Sequence, residues 1–284
     1  MSQTIINVTK FEDFSRQIDQ MEHRYWVFRG HGSVGWHIEP SLARYFRSHQ
    51  QNIQADKFYP READAIRKFR RSAHLHLKHL PAEDEQLSWL AVMQHFGAPT
   101  RLVDFTHSPY VALFFALEDS APEVGFGEIL SSDDLDKKYR PYEVHAVHLK
   151  SVRCQTGKIL KKDGPPKDED YFIGDGGNQT KEFAGFFEGA WQNQRQVAQQ
   201  GLFMVPSKID LDIDKHLKSC PSESQSFPDT SWFVFRFPGG LNAYYDMVTR
   251  LLRANVTAEA LFPGLEGVAR SMFMRYYEPK IPLR

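Results

Sequence analysis

Cysteine is nearly absent. Cys154 and Cys220 stand far apart and outside any ligand-like spacing, which excludes a disulfide framework and a cysteine zinc site and fits a reducing compartment. A charge excess is also missing: 35 basic and 36 acidic residues leave a net charge of -1, so no global field draws the chain to nucleic acid or anionic membrane, although a local basic face stays open. No run of about 18 apolar residues is available to span a bilayer. The opening residues "MSQTIINVTKFEDFSRQIDQ" lack a basic start followed by an apolar core. The expectation is an unexported, cytoplasmic protein with no membrane partner. There is no internal repeat and no clean linker. What is present is 284 residues with 41% hydrophobic content, enough for a substantial core in one domain.

Periodicity gives the elements. Phe11, Phe14, Ile18 and Met21 have helical spacing, and "RYWVFRG" follows as a short strand. "READAIRKFRRSAHLHLKHL", residues 61–80, reads as a helix with a basic outer face, and "EDEQLSWLAVMQHFG" as a second that Gly97 and Pro99 stop. Leu102 to Phe105 is strand-like, and Ser108 before Pro109 caps an apolar helix. Strands are expected at 142–149, at Leu202 to Val205 and in "SWFVFRFP", with helices to the C-terminus broken at Pro263-Gly264. The glycine-bearing stretch 156–180 is expected to be a long exposed excursion, and 207–230 to be surface. Without regular βαβ alternation, the fold class is α+β.

Two stretches carry chemistry. Arg29-Gly30-His31-Gly32 ends a strand with a guanidinium beside glycines, which suits holding a carboxylate, a pyrophosphate or a ribose hydroxyl; equally, Arg29 could pair with a buried carboxylate such as Asp104. Asp104, Thr106, His107 and Ser108 lie at a strand end and helix start, where free backbone N–H groups welcome anions; the plainer reading is a capped turn. His74, His76, His79 and His95 lack metal-ligand spacing, so no metal is expected. "IGDGGN" lacks the lysine and hydroxyl of a P-loop. Gln199 and Gln200 sit at a strand start, and Glu266 on a late helix.

These segments resemble a known family. "VFRGHGSVGWHIEPSLAR", then "MQHFGAPTRLVDFTHSPYVALFFALE", "VAQQGLFMVP" and "LFPGLEGVAR" are similar to the FRG domain family, over most of residues 20–275. A more distant likeness is to arginine-class ADP-ribosyltransferases, with "VFRG" as the aromatic-Arg-Gly strand, Thr106, His107 and Ser108 in place of a Ser-Thr-Ser triplet, and Gln199 or Gln200 where the catalytic glutamate is expected. The likeness implies an ADP-ribosyltransferase-like mixed sheet with flanking helices. It also implies NAD as cofactor, Arg29, Thr106, Ser108 and Gln199 as catalytic residues, and Arg29, Gly30, His31, His95, Arg101, Asp104 and His107 as cofactor-binding ones. Glu266 would have to supply the missing negative charge, since an oxocarbenium-like state needs a carboxylate more than an amide. A toxin or defence effector with a nucleic-acid or protein acceptor and a neutralising partner would fit. The alternatives are a non-catalytic module that binds a nucleotide, nucleic acid or protein, and a nuclease or hydrolase using His31, His95, His107 and Asp104.

Overall fold

The protein is described from a computed structural model over residues 3–49, 58–121, 131–172, 181–189 and 193–276. The strands are β1 (Gln3–Asn7), β2 (Trp26–His31), β3 (Val103–Thr106), β4 (Tyr142–His148), β5 (Ala184–Phe187), β6 (Gly201–Pro206) and β7 (Trp232–Phe237). The helices are α1 (Phe11–Ile18), α2 (Ser41–His49), α3 (Phe58–Ala73), α4 (Gln86–His95), α5 (Pro109–Ser120), α6 (Ser132–Lys138) and α7 (Leu149–Leu160). They continue with α8 (Asp168–Tyr171), α9 (Gln194–Ala198), α10 (Ile213–Ser219), α11 (Leu241–Arg253), α12 (Ala258–Leu261) and α13 (Leu265–Tyr276). The α+β class is observed: the strands form one seven-stranded mixed sheet in the order β1-β7-β4-β2-β3-β6-β5. β1 and β7 run parallel and the other pairs antiparallel.

Helices cover both faces. On one, Phe28, Val144, Ala146, Phe233 and Phe235 pack under α5 and α11. On the other, Val27, Val147, Trp232 and Val234 meet Leu149 and Val152 of α7 and Ile213 and Leu217 of α10. A third cluster joins Phe203 and Val205 to Ile66, Leu90 and Met93 of α3 and α4. All seven residues of β4 are buried, as expected of a central strand covered on both sides.

Gly30 is fixed by packing. A Cβ there would lie 2.1 Å from the Ala112 carbonyl oxygen and 2.6 Å from the Ala116 nitrogen, so α5 crosses β2 at a distance only glycine allows. Gly32 likewise seats the end of α5, with the Asp119 backbone 2.4 Å from a would-be Cβ.

Three expectations change. The helix over 61–80 ends at Ala73, and a turn follows. The exposed excursion does not begin at 156: Thr156 is buried on α7 and donates to the Ala184 carbonyl at 2.8 Å, while Tyr171 and Phe172 are buried against Phe183. Residues 173–180, with "IGDGGN", lie outside the described residues. The segment 207–230 is not only surface, because α10 buries Ile213 and Leu217 under the sheet; charged neighbours mask that spacing.

Candidate functional site

β2 and β3 share a single registered pair, Phe28 with Thr106. A cavity of about 270 Å³ lies where they part. β2 supplies Phe28, Arg29 and Gly30; β3 supplies Asp104, Phe105 and Thr106. α4 contributes Gln94 and His95, α5 Ala112, Phe115 and Asp119, and the α9 segment Asn193, Arg195, Gln196 and Gln199.

Arg29 bridges the split. Its Nη1 donates to the Asp104 carbonyl oxygen at 2.7 Å and its Nε donates to His31 Nε2 at 3.0 Å. The Asp104 carboxylate is not its direct partner, and among the described residues no carboxylate lies within ion-pair distance of Arg29. Burial lowers its pKa, and the charges of Asp104 and Asp119 oppose that shift. Guanidinium charge therefore stays at the cavity without a carboxylate bonded to it.

The helix-tip residues separate. Thr106 Oγ1 lies at the cavity, donates to the Gln199 carbonyl at 2.6 Å and accepts from the Ser108 N–H at 3.0 Å. Ser108 turns away to cap α5, accepting from the Val111 N–H at 3.3 Å, so of the residues expected to be catalytic, Arg29, Thr106 and Gln199 line the cavity and Ser108 does not. The Gln199 amide reaches the cavity but donates to the Leu261 carbonyl at 3.1 Å. Gln200 is exposed at φ 49, and its carbonyl accepts from the His107 N–H at 3.0 Å.

Three predicted binding residues stand elsewhere. Arg101 is buried and paired with Glu62, its Nε 2.8 Å from Oε1. It donates further to the Pro206 and Ser207 carbonyls and lies 4.8 Å over the Phe172 ring. Its charge is consumed inside the core, because a guanidinium in a dry interior persists only with a carboxylate partner. His107 points away, Nε2 3.5 Å from Glu188. His31 is 3% exposed behind Arg29, and burial, then His145 and Arg29, hold it well below the usual imidazole range. His95 does reach the cavity, with burial first and Arg195 second lowering its pKa.

Glu266 is not at the cavity. It is half exposed and pairs with Arg270 at 3.0 Å and Arg195 at 3.9 Å. The carboxylate that sequence reasoning missed is Asp119. One side of it is open to solvent, yet the surrounding protein raises its carboxyl above the usual range, against the pull of Arg29, Arg140, Arg44 and Arg270. Ala112, Phe115 and Asp119 recur at helical spacing on α5, but Glu118 adjoins Asp119, so the spacing alone does not single out the acid that meets the cavity. Asn193, Arg195 and Gln196 carried no signal either, since a short polar helix reads as surface.

Residues 24–124 match the family model described as the FRG domain, which supports membership of that family over under half of the chain. The match spans β2, β3 and α5, the source of Arg29, Thr106 and Asp119, and stops short of Gln199. A search of curated proteins and a search of solved structures each return no match. No helix among the described residues is long and apolar enough to cross a membrane.

Proposed function

We propose that the cavity binds the nicotinamide–ribose end of NAD, and that the chain is an ADP-ribosyltransferase-like or NAD-cleaving protein. The observation that carries this reading is a guanidinium held at a cavity by two neutral acceptors, His31 and the Asp104 carbonyl, which leaves its charge for an anionic ligand. The volume of about 270 Å³ is just below the roughly 300–1,000 Å³ of ligand pockets. It suits one end of a dinucleotide, the rest extending outward.

The chemistry assigned is loss of nicotinamide with the electron pair of the C1′–N bond. Water or an acceptor nucleophile then bonds to C1′ and gives up its proton. Asp119 takes the role first given to Glu266, countering positive charge on the ribose as the bond breaks. Arg29 holds a phosphate or ribose hydroxyl, Thr106 braces the split, and Gln199 and His95 border the ring. The acceptor, nucleic acid or protein, and a toxin or defence role belong to this proposal.

The second reading is a non-catalytic binding module. Supporting it, the Thr106 hydroxyl and the Gln199 amide nitrogen already donate to backbone carbonyls, and the glutamate expected at 199–200 is absent. The deciding measurement is nicotinamide release and calorimetric NAD binding by the purified chain, beside Arg29→Ala and Asp119→Asn. Release lost in both variants is the expected result. Binding of a nucleotide without release favours the module, and neither binding nor release removes NAD from the account.

A further inference from the structure

Behind Arg29, neighbouring positions of β2 and β4 bring together His31, Glu143 and His145, whose ligand-type atoms lie within 4.8 Å of one another, all three residues buried. His31 stands opposite Glu143 in the ladder, and Arg29 opposite His145. The two imidazole rings are 4.5 Å apart. Two histidines and a carboxylate are a common donor set for a divalent cation, so the first question is whether a metal belongs here.

Hydrogen-bond polarity decides it. A neutral imidazole has one N–H and one lone pair, while guanidinium and indole nitrogens only donate. Arg29 Nε donates to His31 Nε2 at 3.0 Å, and Trp232 Nε1 donates to His145 Nδ1 at 3.2 Å. The lone pairs are therefore on His31 Nε2 and His145 Nδ1, and the protons on His31 Nδ1 and His145 Nε2. A metal-bound histidine turns its far N–H to an acceptor. Here both far nitrogens face donors, so a cation on His31 Nδ1 or His145 Nε2 would set N–H against N–H. A cation on the other two nitrogens would have to expel Arg29 or Trp232.

The same polarity gives the cluster another task. His145 Nε2 faces Glu143 Oε2 at 3.6 Å, an electrostatic contact rather than a hydrogen bond. Glu143 is itself fixed, accepting from Arg236 Nε at 2.7 Å and from the Gly35 N–H at 3.2 Å. His31 Nδ1 is buried with no hydrogen-bond partner, and the Trp36 backbone favours protonation of the ring, against the larger opposing effect of burial. We infer that His31, held as its Nδ1–H tautomer against the His145–Glu143–Arg236 array, is the positioning residue that aims the Arg29 guanidinium into the cavity. A neutral acceptor suits this task. A carboxylate in its place would orient Arg29 equally well but neutralise it, as Glu62 does for Arg101. With Nε and Nη1 anchored, the outward edge of the fork remains for a phosphate or carboxylate oxygen.

The effect on ligand binding rests on the cavity reading above; the tautomer does not, and it is measured without ligand. In the nitrogen-15 imidazole spectrum at neutral pH, the expected pattern is His31 protonated on Nδ1 and His145 on Nε2, with a slowly exchanging Arg29 Nε–H signal. In water the Nε2–H form is the commoner one, so His31 found in that form overturns the inference. His31→Gln supplies a carbonyl acceptor and should keep the Arg29 signal protected, whereas His31→Leu should speed its exchange by about tenfold or more. An Arg29 signal indifferent to both variants also overturns it, and if His31→Leu fails to fold, the wild-type tautomer still decides. Stoichiometric zinc added to the wild type should leave both imidazole patterns unchanged; micromolar binding that disappears in His145→Gln would replace the inference with a metal centre. NAD affinity should fall about tenfold in His31→Leu and recover in His31→Gln. If the wild type binds no NAD, the NAD reading fails while the tautomer measurement stands.

Discussion

Arg29 and Arg101 lie beside neighbouring strands of one sheet, yet they are opposite kinds of arginine. Arg101 has a carboxylate, two carbonyls and an aromatic face around it, and both it and Glu62 are almost fully buried. Arg29 is anchored as firmly in direction, but by an imidazole lone pair and one carbonyl. An arginine paired with a carboxylate is structure. One aimed by neutral acceptors at a cavity keeps its charge available.

Breaking the Arg101 side should have the largest effect. Glu62→Ala leaves a guanidinium buried without its carboxylate and should cost about 3–5 kcal/mol of stability, read from urea denaturation, with ligand affinity of the folded fraction unchanged. A loss under about 1 kcal/mol would mean that Arg101 finds water and that the contrast is overstated.

Next is the seat of the strand that carries Arg29. Gly30→Ala puts a methyl group into the Ala112 carbonyl of α5 and should cost about 1–3 kcal/mol or more through overpacking. A thermal melt matching wild type would show that α5 moves freely away from β2.

Arg29→Ala reverses the pattern of Glu62→Ala. It should cost about 1 kcal/mol in stability and reduce NAD binding by about tenfold or more, measured by calorimetry on folded protein. Equal losses of stability and affinity would place Arg29 with Arg101.

The smallest effect extends the comparison to a carboxylate held by neutral donors. Burial would raise Glu22, but donors from Trp26, Ser226 and Ser224 outweigh it and bring its pKa from 4.5 to about 2. Between those values the unfolded chain binds more protons than the folded one, so stability rises with pH through the window and is lost as pH falls across it. Glu22→Gln should flatten the denaturation midpoint between pH 4.5 and about 2; an unchanged slope would assign the acid sensitivity to other groups.

Arg29, Gly30, Thr106 and Gln199 could be read from the sequence because strand ends and glycines mark where backbone stops pairing and side chains face a gap. Arg101 could not be separated from Arg29, since one leads into a strand and the other lies near the end of one, and only Glu62, 39 residues away in sequence, makes one of them structural. Asp119 escaped notice because it ends an apolar helix whose partner strand is distant in sequence. The helix of 213–219 escaped because seven residues give too few turns for periodicity to outweigh charge.

By itself the sequence determined the alternation of strands and helices and the capped start of α5, because these depend on local dihedrals and periodicity, whereas the approach of α5 to Gly30 came with the fold. Only the tertiary structure decided which arginine is neutralised, which carboxylate borders the cavity and which tautomer His31 adopts. The first two depend on remote parts of the chain, Glu62 of α3 beside Arg101 and α5 beside β2, and the third on how Arg29 and His31 are turned toward each other within one strand, and no local pattern encodes these placements.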